Sequence, residues 1–171
     1  MERKTIYQGR IIDFGLETIQ FENKPPFELE IVKHPGGAAI VAIDDQNKVC
    51  LIRQYRHAVG GWIWEIPAGK LEPNEPPQIT AQRELEEEVG LKAQTWHDLG
   101  SMYSSPGFCS EEVYLYLAKD LTHVATQQET HEYIEIHWKT FEESLQLAQN
   151  NTLRDAKSVI ALFRAQTYLS L

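Results

Sequence analysis

Residues 38–43, AAIVAI, are apolar without interruption. A strand with one face in water alternates apolar and polar residues, so an unbroken apolar run belongs to a strand covered on both faces. Such a strand needs material packed above and below it. The 171 residues suffice for one domain with a real core and hardly for two.

The remaining pattern supplies strands first and helices last. TIYQGRII, LETIQF and FELEIV read as strands within residues 4–33, with LETIQF alternating strictly and ENKPP making a turn. HPGG (34–37) separates this set from the apolar run, and KVCLIRQYR (48–56) follows across DDQN, as in a β-hairpin. GWIWEIP, TWHDLGSMY, EVYLYLAKDL and YIEIHW (133–138) are further strand-like segments. The tail reads as two helices. Thr140 and Glu143 form a capping box, and Thr152 and Asp155 repeat the spacing with a shorter acid. The second helix carries Ile160, Phe163 and Thr167 along one stripe. Strands outnumber helices, which predicts an α/β chain with a mixed sheet and a few helices packed on it. Residues 1–33 are expected to form a small separate β-sheet, and residues 34–171 the main domain.

Composition narrows the partners. Hydrophobic content of 42% and charged content of 24% suit a soluble globular chain. A net charge of −9 argues against sequence-independent nucleic-acid binding, which needs a basic footprint. It leaves room for phosphorylated small molecules, because bound cations invert local charge. MERKTIYQGR is polar with no apolar stretch after it, and no window approaches the length of a membrane span, so a cytoplasmic location is expected. Cys50 and Cys109 lie far apart and outside any metal spacing, as expected of two reduced thiols.

The stretch GKLEPNEPPQITAQRELEEEVGL (69–91) is electrostatically odd. Glu84, Glu86, Glu87 and Glu88 fall within five positions, and like charges four apart cost a helix roughly 0.2–0.5 kcal/mol per pair. A helix from about 76 to 89 is predicted, with Asn74 as N-cap, prolines in the first turn, and Gly90 just past the end. Leu85 and Val89 face the core, while Glu84 and Glu88 share a neighbouring face. Arg83, four before Glu87, recovers part of the repulsion. A solvated acidic face is the ordinary reading of such a cluster. A bound cation is the other.

Spacing decides between them. The segment fits G-x5-E-x7-R-E-U-x-E-E-x-G-U, with U bulky and apolar, at Gly69, Glu75, Arg83, Glu84, Leu85, Glu87, Glu88, Gly90 and Leu91. At ordinary residue frequencies a chance match is on the order of one in a billion per starting position. This is the Nudix box, and the chain resembles the Nudix hydrolases, which split a nucleoside diphosphate linked to another group. The resemblance implies the Nudix fold, a mixed sheet in an α/β/α sandwich. It also implies divalent metal, Mg2+ or Mn2+, in two or three ions per site. Carried over by motif position, Glu84, Glu87 and Glu88 are expected as metal ligands, with the Ala68 carbonyl set beside the metals by a tight turn at Gly69. Arg83 is expected to pair with one ligand and orient it. Hard cations prefer such oxygen donors, and a cation lowers the pKa of the water that attacks phosphorus.

Features outside the box resemble the ADP-ribose pyrophosphatase and ADP-sugar diphosphatase subfamily. Pro106 lies sixteen residues after Gly90, in SSPGFCSE. By the same resemblance Pro106, Gly107 and Glu111 belong to a substrate loop, with Glu111 at the terminal ribose. LIRQYRHAVGGWIWEIPAGKLE (51–72) resembles that subfamily's approach to the box. There Arg56 is expected to grip a phosphate through bidentate hydrogen bonds and Glu65 to contact substrate or metal. Trp62 and Trp64 are read as core or dimer packing in preference to base stacking. Strands 4–33 resemble a sheet exchanged between subunits, which implies a homodimer. The general base is expected among Glu129, Glu132 and Glu135, with Glu132 the best match. The implied reaction is hydrolysis of ADP-ribose or a related ADP-sugar to AMP and a sugar phosphate. The rivals are hydrolysis of another sugar nucleotide such as GDP-mannose, and a non-catalytic ADP-ribose sensor.

Overall fold

The computed structural model describes residues 2–127 and 133–170. Strand β4 (Gly37–Ala42) is buried at every position. It pairs in parallel with β9 (Glu112–His123) and antiparallel with β7 (Ala68–Lys70), in a sheet of order β7-β4-β9-β8, where β8 is Leu91–Tyr103. A second sheet has order β10-β5-β6, from β5 (Lys48–Arg56), β6 (Gly61–Glu65) and β10 (Ile134–Thr140). The expected hairpin across DDQN is cut short: the turn closes, with the Asn47 N–H on the Asp44 carbonyl and the Asp44 N–H on the Lys48 carbonyl at 3.0 Å, but the pairing goes no further along β4. Both edges of β4 are taken by β7 and β9, so the two strands diverge into different sheets, joined at a single Ile43–Val49 bridge.

Alternation along β4 divides the core. Ala39 and Val41 join Leu51, Leu115 and Leu117 beneath helices α2 (Phe141–Gln149) and α3 (Ala156–Leu169). Ala38, Ile40 and Ala42 join Cys50 and Ile52 beneath helix α1 (Pro77–Val89), which contributes Ala81, Leu85 and Val89. Two faces of one strand thus anchor helices on opposite sides, giving the α/β/α layering. Burial pushes the Cys50 thiol up to about 12, with the nearby Glu88 adding to it, which leaves that thiol unreactive.

The helix caps account for two of the sequence expectations. Thr140 and Glu143 form the capping box, with the Glu143 N–H on Thr140 Oγ1 at 3.1 Å and the Thr140 N–H on Glu143 at 2.8 Å. Thr152 caps nothing. Asp155 is itself the N-cap of α3, accepting from the Ser158 N–H at 3.1 Å, and residues 150–153 form a turn instead. The buried stripe of α3 is Ser158, Ala161, Leu162 and Ala165; the small Ser158, Ala161 and Ala165 let the helix approach the sheet, while Phe163 and Thr167 face outwards.

Strands β1 (Glu2–Gln8), β2 (Asp13–Ile19) and β3 (Phe27–Lys33) form a separate antiparallel sheet of order β1-β2-β3. Gly15 is its one buried residue, and Ile6, Tyr7 and Phe27 stand exposed. Arg3 binds Asp13 at 2.7 Å and Glu17 at 2.5 Å across the sheet. The Val32 N–H donates to the Phe108 carbonyl (2.7 Å) and the Val32 carbonyl accepts from the Ser110 N–H (2.9 Å), tying β3 to the loop that follows β8.

Candidate active site

Helix α1 begins one residue later than its sequence signals suggest, and Asn74 is not its cap. Asn74 takes a left-handed conformation (φ 64°), which Asn tolerates, and extended Pro76 precedes Pro77 at the first helical position. The turn is held by Glu75, which accepts from Thr80 Oγ1 at 2.7 Å. Gly90 ends the helix in the left-handed region, as expected.

Arg83 organises the acidic face. Its guanidinium reaches Glu75 (3.0 and 3.1 Å), Glu84 (2.7 Å), Glu87 (3.0 Å) and the Lys70 carbonyl (3.2 Å). One cation thus compensates three carboxylates, where the sequence suggests pairing with one of the metal ligands. The Glu75 contact does most to raise its pKa, with Glu84 and Glu87 adding to it against partial burial. Reciprocally, Arg83 holds Glu75 down from 4.5 to about 2. A depressed carboxylate stabilises the fold fully above its unfolded value, and that contribution disappears as pH falls from about 4.5 towards 2. Glu75→Gln is therefore expected to lower the urea midpoint at neutral pH. The two proteins should converge near pH 2. A constant difference across that window would exclude the Arg83 pairing as its source.

Glu84 and Glu88 are buried, at 8% and 2% exposure, and lie against strand β7. Glu88 accepts from the Ala68 N–H at 2.9 Å. The Glu84 carboxylate occupies the space beside Gly69: a Cβ there would meet its Cδ at 1.8 Å. Gly69 is in a strand and has no left-handed φ, so the glycine is needed for room and not for the tight turn that the sequence suggests.

The donor set fits a hard cation, being the carboxylates of Glu84, Glu87 and Glu88 on one helix, with Glu84 and Glu88 sheltered from water. Among the described residues no three acidic, His or Cys side chains converge on one point. Arg83 draws Glu84 and Glu87 together, and the Ala68 N–H holds Glu88.

Ala68 and Gly69 also line a cavity of about 430 Å³, within the size range of small-molecule sites. Its walls bring together Arg56, Glu65, Glu111, His34, Asp155 and Lys157. Arg56 grips Glu65 as a fork, Nε to Oε1 at 2.7 Å and Nη2 to Oε2 at 2.9 Å. Glu65 is 1% exposed, and its second oxygen also accepts from Lys157 at 2.5 Å. Burial alone would raise the Glu65 pKa, but Arg56 and Lys157 reverse the sign and keep it low. The hydrogen bond to Glu65 does most to raise the Arg56 pKa.

Glu111 enters the cavity beside His34, 3.3 Å from its Nδ1. The Gly36 N–H also points at that nitrogen, at 3.1 Å. Pro106 and Gly107 are exposed and outside the cavity lining. Glu129 and Glu132 lie outside the described residues. Glu135 is on β10 and faces Arg53 and His137. Trp64 packs on the core and His137, whereas Trp62 is 41% exposed. Sequence reasoning missed Lys157, Asp155 and His34. The one signal for Lys157 was a cation in the first turn of a helix, where the dipole disfavours it.

Comparison with known proteins agrees with this geometry. The NUDIX domain profile matches residues 33–162. The chain is 38% identical over 162 residues to an ADP-ribose pyrophosphatase of Bacillus subtilis (strain 168), covering 94% of this chain and 88% of that one. It is 37% identical over 164 residues to a methanol dehydrogenase activator of Bacillus methanolicus, covering 95% and 89%. A crystal structure of an ADP compounds hydrolase superposes with a TM-score of 0.87 at 22% identity, covering 99% of this chain and 92% of that chain, and shows the shared fold. With its box helix, its layered core and these relatives, the chain belongs to the Nudix family and is a Nudix pyrophosphohydrolase.

Proposed function

We propose that the protein hydrolyses the pyrophosphate bond of ADP-ribose or a related ADP-sugar to AMP and a sugar phosphate. The observation that carries this reading is the meeting at Ala68–Gly69 of an oxygen-donor helix face with a cavity that Arg56 and Lys157 also line. Glu84, Glu87, Glu88 and the Ala68 carbonyl would hold the cations, two or three Mg2+ or in their place Mn2+. When bound, these lower the pKa of the attacking water and draw charge off the phosphates. Arg83 keeps Glu84 and Glu87 together, so their mutual repulsion does not splay the ligands.

On the substrate side Arg56 presents its guanidinium to a phosphate, and Glu65 orients it. Glu111 takes a ribose hydroxyl, with Pro106 and Gly107 shaping the loop that carries it. Glu132 serves as general base. Residues 1–33 form a dimerisation sheet and 34–171 the hydrolase domain, in a cytoplasmic homodimer. The apolar side chains that the sheet exposes support this pairing, since Ile6, Tyr7 and Phe27 lack cover within the chain. The ADP-ribose pyrophosphatase relative supports the choice of substrate.

The deciding assay is ADP-ribose hydrolysis with Mg2+ in oxygen-18 water, products read by mass spectrometry. AMP and ribose 5-phosphate, one of them labelled, are expected. If a sugar-nucleotide panel turned over GDP-mannose and left ADP-ribose intact, the substrate assignment would fail. Tight ADP-ribose binding with no turnover of any substrate would make the protein a sensor.

A further inference from the structure

We infer that Lys157 is a positioning residue of the substrate cavity, fixing the Glu65 carboxylate on which the Arg56 guanidinium is held. The inference rests on the reading that Arg56 meets a substrate phosphate.

Lys157 stands in the first turn of α3, the end at which a helix dipole disfavours a cation, and its side chain is only 16% exposed. Both circumstances cost free energy that local carboxylates must offset. Lys157 binds Glu65 Oε2 at 2.5 Å and Asp155 Oδ2 at 2.9 Å. Burial by itself would lower its pKa, yet those two acids hold it raised, so it is cationic. Asp155 is anchored in turn, capping α3 through the Ser158 N–H. Ser158 Oγ accepts from the Ile66 N–H at 2.8 Å. The first turn of α3 therefore grips two consecutive residues, Glu65 of the cavity wall by charge and Ile66 of the core by a backbone hydrogen bond.

Lys157 acts on Arg56 through the carboxylate that both contact. Among the described residues Arg56 and Lys157 are the cations that Glu65 contacts. Lys157 is shared between Glu65 and Asp155, so the four groups balance, and what Lys157 supplies is position: it pins the carboxylate onto which Arg56 forks. Lys157 is thus remote from the acidic helix and acts through its neighbours, which distinguishes it from the box residues.

The test compares Lys157→Met and Lys157→Gln with Arg56→Ala and the corresponding double variants, using ADP-ribose as substrate. Lys157→Met is expected to raise KM about tenfold with kcat changed less than about twofold, and Lys157→Gln to behave alike because it retains a donor but no charge. In the Arg56→Ala background the Lys157 substitutions should add little. A purely structural role predicts lowered Tm with unchanged KM in both variants, and that result would overturn the inference. So would KM effects that multiply in the double variants. If Arg56→Ala leaves KM at the wild-type value, the phosphate reading of Arg56 fails and the inference falls with it, an outcome separable from the first two.

Discussion

Glu88→Gln is expected to lower kcat by about 10³-fold or more while the protein stays folded. Even the outer partners of metal ligands cost about 10–100-fold when removed, and a ligand itself should cost more. The substitution is nearly isosteric at a site only 2% exposed. Glutamine keeps a carbonyl oxygen to accept the Ala68 N–H, the bond that Glu88 makes at 2.9 Å, so the contact between α1 and β7 survives. What disappears is the negative charge. Steady-state kinetics with Mg2+, alongside thermal unfolding and near-UV circular dichroism, separates the two. A folded Glu88→Gln enzyme with near wild-type kcat would remove Glu88 from the cation-binding set.

Gly69→Ala is the second large effect, and here the expected loss is spatial. A Cβ would lie 1.8 Å from Glu84 Cδ and 2.0 and 2.3 Å from its two carboxylate oxygens. No real contact is that close, so the Glu84 carboxylate must move. The backbone at this position needs no glycine, so the strand itself can accept alanine, and the disturbance concentrates on Glu84 and on Arg83, which binds it. Mn2+ affinity, followed by calorimetry, should fall about tenfold or more, and kcat with it. Unfolding midpoints should fall far less than the activity. An alanine variant with wild-type Mn2+ affinity would show that the position of Glu84 is immaterial to the cation.

Much of this protein is legible in its amino-acid sequence. The run at 38–43 requires cover on both faces, and β4 has it from α1 on one side and α3 on the other. The spacing of Gly69, Glu75, Arg83, Glu84, Glu87 and Glu88 identifies the family, because hydrogen bonds within one helix and its preceding loop are local and local sequence encodes them. The capping box at Thr140 and the stop at Gly90 are local in the same sense. The failures have a common cause. Whether β4 pairs with β5 or with β9 depends on a strand some seventy residues further along, and no turn signal at DDQN carries that information. Asn74 and Thr152 are residue types that suit a cap, but neighbouring prolines and Asp155 take over the role. Gly69 reads as a tight turn, whereas the side chain of Glu84, fifteen residues on, fills its space.

The cavity divides along the same line. By itself the sequence determined the acidic helix and its arginine, since their partners lie within one turn or one short loop. Only the tertiary structure brought Lys157 to Glu65 across ninety-two positions, and His34 to Glu111 across seventy-seven. Those pairs are made by packing α3 and the β3–β4 connection around one sheet edge, and packing is a property of the whole core.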